Sequence, residues 1–196
     1  MSVGVRGGSG ISARSAPAET LPPLAELLQL QADRRLPPVA QWHPEREGEI
    51  DIRIDREGVW HHEGRHFERA SLVRLFAGIL RNEGGSHFLV TPHEKLRIIV
   101  EDVPLLAVEC ECAGQGDGRE ILLRTQTDDV VRLDAEHPFW LREGPQGPRP
   151  YIHVRDGLNA LVARSPYYQL IDLAEEADGH LWLRSAGARF DLGASE

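Results

Sequence analysis

The run His62-Glu63-Gly64-Arg65-His66 is the short motif in this chain whose residue types come nearest to a metal centre. In zinc peptidases an H-E-x-x-H run works because one helical turn sets both imidazoles on one face and the glutamate beside the metal-bound water. Here Gly58 and Gly64 flank a short Trp60-containing segment of strand character, and a glycine inside the pair weakens any helix through it. The expectation is a solvated hairpin tip carrying His61, His62 and His66, with a metalloprotease and a weak cross-strand metal site from those imidazoles as the lesser alternatives. Phosphate-cradling loops fail too: Gly7-Gly-Ser-Gly10 has no strand before it and no Lys-Ser/Thr after it. Cys110 and Cys112 alternate in an apolar stretch whose extended form holds their Cα atoms roughly 6.6 Å apart, so they read as packed or edge-strand thiols, with redox sensing as the lesser alternative. No nucleophile elbow or triad is legible.

The densest polar segment is Thr91-Pro-His-Glu-Lys-Leu-Arg97, followed by Ile98-Ile-Val-Glu-Asp102. In a strand, Lys95, Arg97 and Ile99 share one face while Glu94, Leu96, Ile98 and Val100 share the other. Two cations presented together can clamp a phosphate or carboxylate, Arg97 by its planar fork and Lys95 as a point charge. The blander use of the same residues is a solvated strand edge paired with Glu101 and Asp102. Arg155 has the same two readings.

Those groups must be positioned by a chain of 196 residues, 41% hydrophobic and 27% charged, enough for one sizeable core or two small ones. A formal charge of −9 has the wrong sign for a domain that wraps nucleic acid or lies on an anionic membrane. Lys95 is the single lysine; the other basic residues are arginine. The absence of a disulfide framework, of an apolar leader in the first residues and of a run of about 18 apolar positions leads to the expectation of a cytoplasmic protein.

Residues 1–19, rich in Gly, Ser and Ala, read as a disordered tail, and 20–38 as a short amphipathic helix with Leu21, Leu24, Leu27 and Leu28 on one face. Ile50, Ile52 and Ile54 alternate with charge and predict a strand, which the turn Asp55-Arg-Glu-Gly58 folds onto Val59-Trp60-His61-His62. A helix is predicted from Ser71 to about Glu83, with Leu72, Leu75, Phe76, Ile79 and Leu80 as its apolar stripe, and strands over Phe88-Leu-Val90, Leu96–Val100 and Leu106–Val108. Beyond it come strands around Ile121–Leu123, Val130–Leu133 and Tyr151–Val154, a helix from about Gly157 to Arg164 closed by Pro166, a strand Tyr168–Leu173, and a last hairpin from Leu181 to Leu192. The halves, 39–104 and 105–193, share strands plus one helix each, and a loosely recurring Gly-x-x-Trp suggests a degenerate duplication. The fold class expected is α+β: two small similar domains of antiparallel sheet plus one helix, after a short N-terminal helix.

Gly58-Val-Trp60, Phe67-x-Arg69-x-x-Leu-Val-Arg-Leu-Phe76, Phe88-Leu-Val-Thr-Pro92, Glu94-Lys95 and Val100-Glu-Asp-x-Pro104 occur in that order. His137-Pro138, Tyr151-x-x-Val-Arg155-x-Gly-Leu158-x-Ala-Leu161 and Tyr167-Tyr-x-Leu-x-x-Leu173 follow them. Together, from about residue 40 to 193, they resemble the bacterial domain of unknown function 1285 family. The resemblance implies a duplicated α+β core with a pleckstrin-homology-like second half, a nucleotide-like ligand at the domain interface and a role in signal transduction. The positions it carries over are Trp60, Arg69, Thr91, Pro92, Glu94, Lys95, Glu101, Asp102, His137 and Arg155. Two departures stand out: Leu105, where an aromatic is usual and a stacking surface would be lost, and Asp156, which would compete for Arg155.

The leading expectation is therefore a non-enzymatic ligand sensor, with no catalytic residues and no metal, in which Lys95, Arg97 and Arg155 bind the anionic part of a nucleotide-like metabolite. Trp60 would stack on a base or brace the cleft wall, and Glu101 or Asp102 would orient the basic groups. The alternatives are a metal-dependent hydrolase using Glu94, Glu101 or Asp102, and a module that docks a protein partner through a sheet edge or the Pro-rich loop.

Overall fold

A computed structural model describes Pro23, Leu24, Glu26, Leu28 and residues 36–145 and 147–195. The expected tail 1–19 and most of the expected N-terminal helix lie outside these residues; Leu24, Glu26 and Leu28 are helical, whereas 36–38 are not. Leu24 is buried against Leu122 and Val130, and its N–H donates to the Glu111 carboxylate at 2.6 Å.

Strands β1 (Arg46–Ile54), β2 (Trp60–His62) and β3 (Arg65–His66) precede helix α1 (Ala70–Gly78) and strands β4 (Leu80–Glu83), β5 (Ser86–Val90) and β6 (Glu94–Val100). The second half runs β7 (Leu105–Ala113), β8 (Glu120–Thr125), β9 (Val130–Arg132), β10 (Phe139–Arg142), β11 (Arg149–Arg155) and β12 (Leu158–Val162). Helix α2 (Arg164–Asp172) and β13 (Glu175–Ala177), β14 (His180–Ser185) and β15 (Ala188–Ala194) complete it.

The sheets show the duplication directly. The first has spatial order β4-β5-β6-β1-β2-β3 and the second β10-β11-β12-β7-β8-β9, the same permutation of six consecutive strands. Each is two three-strand antiparallel meanders joined through one parallel pair, β1 with β6 and β12 with β7, so neither sheet is wholly antiparallel as expected. The halves differ in where the helix falls. Helix α1 connects β3 to β4, whereas α2 follows β12 and leads into the separate sheet β13-β14-β15.

Two helix predictions need correction. The first helix stops at Gly78, because Leu80–Glu83 pairs instead with β5 around Gly84-Gly85, both at positive φ (58° and 88°), the backbone of a two-residue hairpin turn. The predicted Gly157–Arg164 helix is strand β12: Asp156 (φ 46°) and Gly157 (φ 72°) turn the chain back on β11, and Leu158, Ala160 and Val162 alternate inward. The helix begins where that strand ends, and Pro166 opens it instead of closing the previous one, since a first-turn residue needs no N–H. Tyr168–Leu173 is thus helical for all but its last residue, not a strand.

The inward faces of both sheets make one core. Ile52, Ile54, Leu89 and Ile98 of the first sheet and Leu105, Ile121, Leu123, Ile152 and Leu158 of the second are all buried in it, with Ala77, Leu170, Leu183 and Phe190 from the flanking elements. Leu105 is fully buried there, opposite Ala160, so it takes nothing from any ligand surface. Leu75, expected in the apolar stripe of α1, is 62% exposed. Gly58 (φ 81°) lies where the halves meet: a Cβ there would stand 3.0 Å from the Leu106 Cβ.

Burial pushes the His87 imidazole on β5 below its ordinary value of 6.5. The unfolded chain takes up that proton before the folded one, so this contribution is complete above pH 6.5 and declines as pH drops into the window beneath it. Glu83, held by Lys95 below its ordinary 4.5, titrates lower and does not contribute there. Melting temperatures measured from pH 8 to 5 are expected to fall less steeply in His87→Gln than in the parent; equal slopes would refute the assignment.

Candidate functional site

Two cavities lie along the seam between the halves, and they differ in how their charges are answered. The first, about 340 Å³, is bounded by α1, by Leu36 and Pro37, by the β8–β9 turn and by Arg155 at the end of β11. Arg155 donates from Nε to Asp129 (2.9 Å) and from Nη2 to the Ala77 carbonyl (2.9 Å), tying the second half to the last turn of α1. The Asp129 carboxylate also accepts from the hydroxyls of Thr127 (2.9 Å) and Thr125 (3.4 Å), both buried. Arg74 faces Asp128 at 3.3 Å. Both arginines of this cavity therefore already have a carboxylate, and Asp156 is not a competitor for Arg155, being spent on the β11–β12 turn.

The second cavity is larger, about 670 Å³, and is basic. Arg56 and Glu57 reach it from the β1–β2 turn, Arg149 from the first position of β11, just after the Pro/Gly-rich connection, and Arg164, Tyr167 and Tyr168 from the start of α2. Arg149 bridges the halves, donating to the Arg56 carbonyl at 2.8 Å and lying 3.1 Å from Asp102. Among the described residues Arg56 and Arg164 have no carboxylate partner. Tyr167 stacks between Phe139 and Tyr168, each at 6.5 Å between ring centres, and Tyr168 keeps 58% of its surface open. The first turn of α2 lines this cavity and has no side-chain cap, and Pro166 within it has no N–H to satisfy.

Behind this cleft Asp102, in the four-residue link between β6 and β7, is the centre of a charged cluster. Its carboxylate is 6% exposed, receives the Tyr151 hydroxyl at 2.7 Å, and pairs with Arg142 as well as Arg149. Burial first, and then Asp102, push the Tyr151 phenol above its ordinary 10.0. Arg142 lies 4.3 Å over the Tyr151 ring, and Trp140 stacks on it at 5.8 Å.

The residues expected to form the site are scattered. Lys95 is held by Glu47 (2.6 Å) and Glu83 (3.1 Å), and it does not line the cavity that Arg155 lines. Arg97 is exposed on β6, 3.4 Å from the Ser86 hydroxyl and opposite Glu49 of β1 and Phe88 of β5 in the register. Trp60 is a core residue, 2% exposed and stacked on Phe76, so it offers a ligand no face. Arg69 is the exposed residue preceding α1, and Thr91 caps the β5–β6 turn by accepting the Glu94 N–H at 3.1 Å. Glu94 is half-buried on β6, Glu101 pairs with Arg53, and His137 sits 3.1 Å from Asp134. Of the expected set, Arg155 lines one seam cavity and Asp102 supports the other through Arg149.

The H-E-x-x-H run is the expected hairpin tip, with Glu63 (φ 48°) and Gly64 (φ 74°) as its turn. Among the described residues no group of three His, Cys, Asp or Glu converges to hold a metal ion. Glu101 and Asp102 could serve as bases only after leaving their arginines. The Cys110 thiol is pushed up to about 12, chiefly by burial, which makes it inert at neutral pH. No described helix is long and apolar enough to cross a membrane.

Sequence reasoning missed Arg56, Arg149, Arg164 and Tyr168. A signal for one existed: the Ser165-Pro166 step marks a helix start with Arg164 immediately before it, and the helix begins at Arg164 itself, with Ala163 as its N-cap.

Comparison with known proteins agrees with the two-part architecture. Residues 37–103 match the model of the N-terminal domain of DUF1285, a domain of unknown function, and residues 104–192 match that of the C-terminal domain of DUF1285, described as a protein of unknown function. The chain is similar to the crystal structure of a DUF1285 family protein from Silicibacter pomeroyi DSS-3. Identity is 40%, with 82% of this chain and 89% of that one covered and a TM-score of 0.78. It is also similar to a DUF1285 family protein from Shewanella baltica OS155, at 28% identity over 62% of this chain and 90% of that one, with a TM-score of 0.51. No curated protein matches.

Proposed function

We propose, starting from the fact that this chain belongs to the DUF1285 family, that it is a non-enzymatic sensor taking an anionic, nucleotide-like metabolite into the cleft of Arg56, Arg149, Arg164 and Tyr168. The reading is carried by three arginines from both halves converging on one cleft in a chain of net charge −9. Two of them have no carboxylate partner, so an anion entering there displaces no internal ion pair at Arg56 or Arg164. Guanidinium forks suit phosphate oxygens in pairs, and the open Tyr168 ring suits the face of a base. The volume falls within the range of small-molecule sites. Because Arg149 bridges the halves, an anion that attracts it also acts on how they are held together.

A thermal-shift panel of nucleoside mono-, di- and triphosphates and cyclic nucleotides tests this. A ligand at about 100 times its dissociation constant adds roughly 2.7 kcal/mol, worth about 5–10 °C at this chain length. The shift is expected to disappear in Arg164→Ala and Tyr168→Ala and to survive in Lys95→Ala. A flat panel, or a shift that Arg164→Ala leaves intact, would sink the reading.

A further inference from the structure

We infer that the three-stranded sheet carries a second, smaller anion site, formed by Arg119, Arg184 and Arg189, that takes a phosphoryl group. A cavity of about 260 Å³ opens between the β14–β15 hairpin and the single helical turn Gly116–Gly118, and these three arginines line it. Arg184 and Arg189 are direct cross-strand partners in the hairpin register. Like charges placed opposite each other destabilise a ladder, so the pair needs a counter-charge between its members.

The protein supplies that charge poorly. Glu175 is shared, 3.5 Å from the Arg184 Nε and 3.8 Å from the Arg119 Nη1, both beyond good hydrogen-bond length. Asp117 is fully exposed and 3.9 Å from Arg184. Asp191, the other acid on this face, accepts from the Gly193 N–H at 2.8 Å and faces His180 at 3.1 Å; these contacts, with a smaller contribution from the Arg189 charge, hold its carboxyl below the ordinary 3.8.

Two of the three guanidiniums are fixed in advance. Arg119 donates to the Leu173 carbonyl at 2.7 Å, and Arg189 lies 3.6 Å over the Trp182 ring. Holding them loses less side-chain entropy when an anion arrives. Gly116 and Gly187 also line the cavity, and an added Cβ at either would meet nothing within 4 Å. A phosphoryl group accepts from several forks at once and neutralises the Arg184/Arg189 opposition.

The test uses the full chain carrying Arg164→Ala, so that the interdomain cleft does not contribute, with inorganic phosphate as probe and chloride matching the ionic strength. Phosphate is expected to raise the melting temperature saturably and to change Trp182 fluorescence. Adding Arg184→Ala is expected to weaken phosphate at least tenfold, while raising the melting temperature in phosphate-free buffer because the like-charge pair is gone. That crossing of the two stability curves separates a binding role from a structural one. Phosphate acting no differently from chloride, or acting equally with and without Arg184, would overturn the site and leave the interdomain proposal untouched.

Discussion

Asp102→Ala is expected to cost about 3 kcal/mol in urea unfolding, more than most single surface changes, and to lower the melting temperature by roughly 6–12 °C. The carboxylate is almost buried and gathers Arg142, Arg149 and the Tyr151 hydroxyl. Removing it leaves two guanidiniums facing each other and takes an ionic acceptor from the buried phenol. Arg142 is half exposed and relaxes into water, so most of the loss comes from Tyr151 and from Asp102 itself. Trp140, stacked on Tyr151, provides a local fluorescence readout. A second effect has the opposite sign: Arg149, released from Asp102, is expected to bind cleft anions more tightly in the variant. A loss under about 1 kcal/mol would mean that water already serves this cluster.

The second large effect is at Arg155. Its guanidinium answers Asp129, whose side chain is 7% exposed, and caps the Ala77 carbonyl across the seam. Arg155→Ala strands a buried carboxylate with only two threonine hydroxyls, a change worth about 3 kcal/mol. Asp129→Ala strands the arginine and is expected to cost a similar amount. Removing both spares the uncompensated charge, so the double variant is expected to fall short of the summed losses by more than about 1 kcal/mol. Strict additivity in the cycle would show that the two side chains act independently.

How much of this was legible depends on whether a residue's partners are near it in sequence. The Asp55–Gly58 hairpin and the Glu63-Gly64 tip are local turn chemistry and stood out at once. Leu158, Leu161 and Val162 fit a helical period and a strand equally well over so short a span. The Asp156-Gly157 turn, not the apolar pattern, decides for the strand. Leu80 continues the stripe of α1 but lies beyond Gly78, and pairing with β5 claims it. The pairing of Lys95 with Arg97 on one strand was readable, whereas its neutralisation was not. Glu47 arrives from β1 through the parallel pairing, and Glu83 from the edge strand β4. Arg56 sits in the β1–β2 turn, Arg149 opens β11 and Arg164 opens α2, so three distant stretches of sequence supply them, and only the docking of the two halves brings Arg56 to the other two.

The parallel pairing at the centre of each sheet also settles what rearrangements this chain tolerates. Since β1 and β6 run the same way side by side, the chain enters a half at one end of its sheet and leaves it at the opposite end. Joining those ends to make a circularly permuted half would need a return segment of roughly 23 Å, about seven extended residues. Appending another copy needs only a short step, and the four residues from Glu101 to Pro104 make that step between β6 and β7. The unit is thus built to be concatenated and resists being permuted, which is the geometry a tandem gene duplication requires.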